Sequence, residues 1–122
     1  MRALVGEQVL MRIFIGETDR HGSQLLYKAL VDLFRREKLA GTTVLRGICG
    51  FGAKSHLHTT SLLELSQNLP IVIEVVDTEE NFQRIMPQVD EMVPEGLITM
   101  EKVRVLRYAP ESRGAKGNKA GK

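Results

Sequence analysis

The chain has no tryptophan, a single cysteine and only 5% aromatic residues among its 122 positions. A core made almost without large rings is aliphatic, and 43% apolar residues in a chain of this length suffice for one modest core, hence one folded domain. The lone Cys49 excludes an intrachain disulfide and fits a reducing compartment. As a small residue in a strand-like run, it reads as core filler rather than as a catalytic thiol. No apolar run reaches the roughly 18 residues that cross a bilayer. The first residues show no basic start, apolar block and small-residue cleavage site of a secretory signal, so a cytoplasmic location is the expectation.

A net positive charge is also lacking in the body of the chain. Residues 110–122 carry four basic groups and one acidic group, a net of +3, whereas the whole chain is +2. Residues 1–109 therefore sum to −1, which argues against nucleic-acid binding driven by general electrostatics. The Gly/Lys tail has no apolar residue larger than Ala and is expected to be disordered. The division that follows is an extension over 1–7, a domain over 8–109 and the tail over 110–122.

Glycine is what the chain has locally in excess. Arg46-Gly47-Ile48-Cys49-Gly50-Phe51-Gly52-Ala53-Lys54 follows a β-branched run and leads into a polar loop holding His56 and His58. Three glycines in six positions allow positive φ and close approach of a ligand to the backbone amides. With Arg46 and Lys54 on either side, the segment suits an anion such as a phosphate. A hairpin or bulge that needs glycine for geometry alone is the competing reading.

Periodicity supplies the rest of the organisation. Residues 8–16 alternate as a strand, with Val9, Met11, Ile13 and Ile15 on one face and Leu10 and Phe14 on the other. A helix is predicted over 22–40, lined by Leu26, Ala29, Leu30, Leu33 and Phe34, with Asp19 or Ser23 as cap and Gly41 as stop. A second strand covers 42–50, and 71–76 is the most strand-like hexamer in the chain. Asp77 and Glu80 resemble a capping box before a helix carrying Phe82, Ile85, Met86, Val89, Met92 and Val93, which Pro87 should kink or interrupt. A last strand over 97–108 slips its alternation between Met100 and Val103, suggesting a bulge. Leu62, Leu63 and Leu65 could add a short strand or turn.

The order β-α-β-β-α-β is the ferredoxin-like arrangement, an α+β fold with a four-stranded antiparallel sheet. Two helices cover one face of such a sheet. Yet the strands at 8–16 and 71–76 are apolar on both faces, Arg12 and Glu74 excepted, which predicts oligomerisation through the sheet. Glu74 could face a neighbouring subunit, a basic partner or solvent.

Catalytic and metal chemistry have weak local support. His56 and His58 lack a third ligand at a recognised spacing, with Glu64 and His21 the nearest candidates. Glu17-Thr18-Asp19-Arg20-His21-Gly22 reads as turn and cap chemistry, or as carboxylates accepting from a ribose. Lys102, Arg104 and Arg107 on the last strand read as a solvated edge, or as phosphate ligands at a subunit boundary.

The glycine segment Arg46-Gly47-Ile48-Cys49-Gly50-Phe51-Gly52, together with Asn68-Leu69-Pro70-Ile71-Val72-Ile73-Glu74-Val75-Val76-Asp77, resembles an uncharacterised bacterial and archaeal family related to PII signalling proteins, catalogued as domain of unknown function one hundred and ninety. Ile15-Gly16-Glu17-Thr18-Asp19 and Gly96-Leu97-Ile98-Thr99 carry the same resemblance, so that it spans about residues 9–108. It implies a PII-like homotrimer that binds an adenine nucleotide (AMP, ADP, ATP or cyclic AMP) between subunits, with no other cofactor. It also implies signalling through the loop 51–61 to a protein partner, a membrane transporter or channel being one candidate. Gly47, Gly50, Phe51 and Gly52 carry over as binding positions, with Arg46 and Lys54 as phosphate partners and Arg104 and Arg107 as further basic candidates. The loop holds no tyrosine to serve as a uridylylation site and is shorter than in true PII proteins, which separates this chain from the PII route of nitrogen control.

Two other classes share the element order. An RNA-binding module would stack bases on strand aromatics, and Ile48 and Cys49 stand where these are needed. An acylphosphatase-like enzyme would need a catalytic Arg and Asn, for which Arg20 and Asn68 or Asn81 are the available residues. Neither nucleic-acid binding nor catalysis is expected.

Overall fold

The computed structural model describes residues 4–52 and 68–110. Strand β1 (Gly6–Gly16) lies inside a four-stranded antiparallel sheet, between β5 (Pro70–Asp77) and β6 (Leu97–Val105), with β4 (Thr43–Arg46) outside β5. Helices α1 (Leu26–Arg36) and α2 (Glu79–Met92) complete the expected α+β order. Their apolar sides meet Met11, Ile13 and Ile15 of β1 and Ile71, Ile73 and Val75 of β5 in one core, where Phe34, Phe82, Leu30 and Leu33 are fully buried. The alternation read over 8–16 is thus the core pattern, in a strand that starts two residues earlier than expected.

Several boundaries differ from the sequence expectation, each for a local reason. The first helix starts at Leu26 rather than near residue 22, because Arg20–His21 (β2) and Gln24–Leu25 (β3) pair as a small hairpin that turns at Gly22, whose φ is +64°. Neither Asp19 nor Ser23 caps it: Leu25 occupies the cap position with no side-chain bond, and Asp19 Oδ2 accepts instead from the Gly16 N–H at 2.9 Å. The stop comes at Lys38, before Gly41. Lys38 takes a left-handed φ of 64°, and the Leu39 N–H closes the helix end on the Phe34 carbonyl. Because a Cβ is strained in that conformation, Lys38→Gly should raise stability by about 0.5–1 kcal/mol in thermal denaturation. A fall would show that the lysine side chain makes a stabilising contact of its own.

The second strand ends at Arg46, since Pro70 on the neighbouring strand has no N–H to continue the ladder. Cys49 consequently lies beyond the strand and is exposed, not core filler. The cap of α2 is Thr78, whose hydroxyl accepts from the Asn81 N–H, and not an Asp77–Glu80 capping box. Pro87 does not break α2, because the carbonyl it orphans belongs to Gln83 on the solvent side. The β1–β6 register runs without interruption from Phe14↔Leu97 to Gly6↔Val105, so β6 has no bulge. The apparent slip arises because Glu101 and Lys102, on opposite faces, are both exposed. Leu62, Leu63 and Leu65 lie outside the described residues.

The described helices leave the second sheet face uncovered. Leu10, Phe14, Val72 and Val76 are half-buried there, with Leu45 and Leu97 exposed. Glu74 is held within the protomer: its Oε2 accepts from Arg12 Nε at 2.9 Å, while Arg12 Nη1 donates to Glu101 Oε1 at 3.2 Å. The hydrogen bond to Glu74 is the main cause raising the already high pKa of the Arg12 guanidinium. The face therefore combines a self-paired charge cluster with flanking aliphatic residues.

Candidate functional site

Antiparallel pairing brings the end of β1, the exit of β4, the entry to β5 and the start of β6 to one end of the sheet. A cavity of about 420 Å³ opens there, lined by Phe14, Ile15, Gly16 and Asp19, by Gly50, Phe51 and Gly52, by Asn68 and Pro70, and by Glu95, Gly96 and Leu97. The volume is that of a small-molecule site, and the mixture of aromatic and aliphatic walls with a few polar groups has the same character.

Backbone bonds fix these walls. The Glu17 N–H donates to the Leu69 carbonyl at 2.8 Å, and the Gly47 N–H donates to the Pro70 carbonyl at 2.8 Å. The Thr18 N–H donates to Asn68 Oδ1 at 3.1 Å. Glycine is required where the walls approach one another. A Cβ on Gly47 would lie 2.9 Å from Pro70 Cγ, and one on Gly96 (φ +149°) would lie 2.9 Å from the Phe14 carbonyl oxygen. Gly50 has a φ of +145° and would place its Cβ 3.3 Å from Pro70 Cγ.

The structure places Gly50, Phe51 and Gly52 in the cavity wall. Gly47 stands behind them against Pro70, outside the lining. Arg46 also lies outside it: Arg46 Nη1 donates to Glu17 Oε2 at 2.9 Å, and the side chain is largely exposed. Arg104 and Arg107 are exposed and belong to the opposite end of β6, Arg104 being about 23 Å along the strand from Leu97. Lys54, His56 and His58 fall outside the described residues. Among the described lining residues the charged groups are the carboxylates Asp19 and Glu95.

Sequence reasoning does not single out Gly16, Asn68, Glu95 and Gly96 as members of one site. A signal exists, since Gly16, Asn68 and Gly96 lie in the stretches that carry the family resemblance. Only the strand order shows that these stretches share an end. Of the residues of the enzyme alternative, Asn68 lines the cavity, whereas Arg20 donates to the Ser23 carbonyl and the Asn81 amide donates to Asp77, both outside the lining. For the RNA alternative, the described strands carry one aromatic on the uncovered face, Phe14. No group of three or more potential metal ligands occurs among the described residues.

A family model described as "Uncharacterized ACR", a domain of unknown function, matches residues 8–105. The chain belongs to this family, DUF190. Consistent with that membership, it is 35% identical over 99 residues to the UPF0166 protein MJ1524 of Methanocaldococcus jannaschii, covering 80% of this chain and 91% of the relative. A UPF0166 protein of Aquifex aeolicus is 33% identical over 102 residues, covering 84% and 96%. Among solved structures, a Thermus thermophilus protein described as PII-like signaling superposes with a TM-score of 0.56 at 23% identity, over 91% of this chain and 95% of that one. CPII from Thiomonas intermedia K12, bound to ADP, AMP and acetate, superposes with a TM-score of 0.56 at 17% identity, over 84% and 91%. At these identities the likeness establishes the fold of this DUF190 chain, which is PII-like.

Proposed function

We propose that this chain is a PII-like regulatory protein, not an enzyme, that assembles as a homotrimer and binds an adenine nucleotide in clefts between subunits. The observation that carries the reading is the cavity walled by Gly50, Phe51 and Gly52 at one end of a PII-like sheet, in a fold whose neighbour CPII holds ADP and AMP. The uncovered sheet face, aliphatic around the Arg12–Glu74–Glu101 cluster, supports assembly through the sheet. Such assembly would also bring basic groups to the cavity. The described cavity lining holds carboxylates, and the basic candidates Arg104 and Arg107 are remote from it within one protomer. A neighbouring protomer would supply them to the phosphates, alongside Arg46 and Lys54 at the glycine segment.

Phe51 is exposed beside the cavity, which suits stacking on a purine, an interaction worth roughly 1–3 kcal/mol. The segment 51–61 begins at this wall, so occupancy would be reported through it to a protein partner in the cytoplasm, with a membrane transporter or channel as the candidate class. Calorimetric titration of the purified protein with AMP, ADP, ATP and cyclic AMP, paired with sedimentation equilibrium, tests the proposal. The expected result is a trimer mass and one nucleotide per protomer for at least one of the four. Absence of heat with all four would refute it.

A further inference from the structure

The uncovered sheet face carries its charge in one place. Cross-strand partners share a face, so the register gives its composition row by row. Leu45, Val72, Phe14 and Leu97 form an apolar row across all four strands. The next row is polar, with Thr43, Glu74, Arg12 and Thr99, and beyond it Glu101 stands opposite Leu10. The charged groups that these four strands place on the face are Arg12, Glu74 and Glu101. Arg12 Nε donates to Glu74 at 2.9 Å and Arg12 Nη1 to Glu101 at 3.2 Å, so one guanidinium serves two carboxylates. Each protomer is left with one negative charge in excess on this face. Glu101 is the more loosely held, its side chain 58% exposed against 32% for Glu74. It faces Leu10 on β1 with Gln8 and Arg12 on the diagonals, Glu74 beyond on β5, and Thr99 and Val103 on its own strand. Arg12 is the one cation among these groups.

We infer that Glu101 links assembly through this face to proton uptake, the trimer forming more tightly when Glu101 is neutral. This rests on the assembly reading above, in which a second copy of the chain covers the face, and adds a regulation to it. Covering the aliphatic rows favours assembly. Covering the cluster opposes it, because the surplus charge leaves water and is repeated by every copy around the threefold axis. Burial and a nearby like charge both favour the uncharged form of a carboxyl group. The assembled state therefore binds more protons than the separate protomers. Assembly accordingly strengthens as pH falls and weakens as pH rises. Arg12 and Glu74 balance one another and keep their ion pair in both states.

Glu101→Gln tests the link, since the amide oxygen still accepts from Arg12 while the surplus charge is gone. The readout is the protomer–trimer equilibrium by sedimentation, over a dilution series extended with urea where the trimer persists at the lowest concentration. Wild type should assemble at least ~10-fold more tightly at pH 5.5 than at pH 8. Glu101→Gln should be as tight at pH 8 as wild type is at pH 5.5, with most of the pH response lost. Glu74→Gln removes the same charge from another strand and should shift assembly at pH 8 in the same direction. A wild-type trimer indifferent to pH, or a Glu101→Gln variant that keeps the wild-type pH response, would overturn the inference while leaving the assembly reading intact. Weaker assembly of Glu101→Gln would overturn it too, by showing that a cation of the neighbouring protomer pairs with Glu101. A chain that stays monomeric under all these conditions would instead remove the assembly reading, and the proton link with it.

Discussion

Gly50→Val is expected to abolish nucleotide binding, with a loss of at least ~100-fold in affinity, while the protein remains folded and assembled. The residue has a φ of +145°, a conformation that a β-branched side chain avoids, and its Cβ would lie 3.3 Å from Pro70 Cγ. Both effects distort the segment that forms one wall of the cavity. Gly50 lies beyond the end of β4 and outside the buried core, so the sheet and its uncovered face should be unaffected. Binding by calorimetry and mass by sedimentation separate the two consequences. Loss of assembly together with binding would mean that the glycine serves the fold rather than the ligand.

The largest effect on stability is expected at Asp77. This carboxylate is fully buried at the end of β5 and gathers donors from two segments. Oδ1 accepts from the Thr78 N–H and from Asn81 Nδ2, each at 2.7 Å, and Oδ2 accepts from the Ala40 N–H at 2.8 Å. It thereby ties the loop after α1 to the first turn of α2, where the helix dipole also favours a negative group. Asp77→Ala leaves these donors without their acceptor in a buried setting, at a cost of about 3–5 kcal/mol. Asp77→Asn retains one acceptor oxygen and should lose about half as much. Chemical denaturation measures both, and a loss below about 1 kcal/mol for the alanine variant would contradict this account of the junction.

What can be read from the sequence follows from where the physical signal lies. Met11, Ile13 and Ile15 announce β1 by strict alternation, and Leu26, Leu30, Leu33 and Phe34 announce α1 by helical spacing, because burial imposes a period on each. The two-residue strands at Arg20–His21 and Gln24–Leu25 are too short to impose one, so spacing alone starts the helix too early. Asp77 resembles a helix cap in sequence because its role as a tie to Ala40 depends on a partner 37 residues away. The cavity is legible in part. Gly50, Phe51 and Gly52 form a compact motif, whereas Gly16, Asn68 and Gly96 come from three separate stretches joined only by the strand order β4-β5-β1-β6. Proximity in sequence points Arg46 at the ligand, and its ion pair with Glu17 depends on chain geometry that sequence does not display.

The central claim is that each nucleotide site is shared, with the 50–52 wall from one protomer and the basic end of β6 from the next. Co-expression of two inactive chains tests it most directly, one carrying Gly50→Val and the other Arg104→Ala with Arg107→Ala. Each alone should assemble and fail to bind. Each mixed trimer has one cleft of its three that combines an intact wall with intact arginines, and with equal random mixing about three quarters of the trimers are mixed, so nucleotide binding should return to about a quarter of the wild-type capacity. Mixed trimers that remain unable to bind, or an Arg104→Ala/Arg107→Ala chain that binds like wild type, would contradict a site built across the subunit boundary.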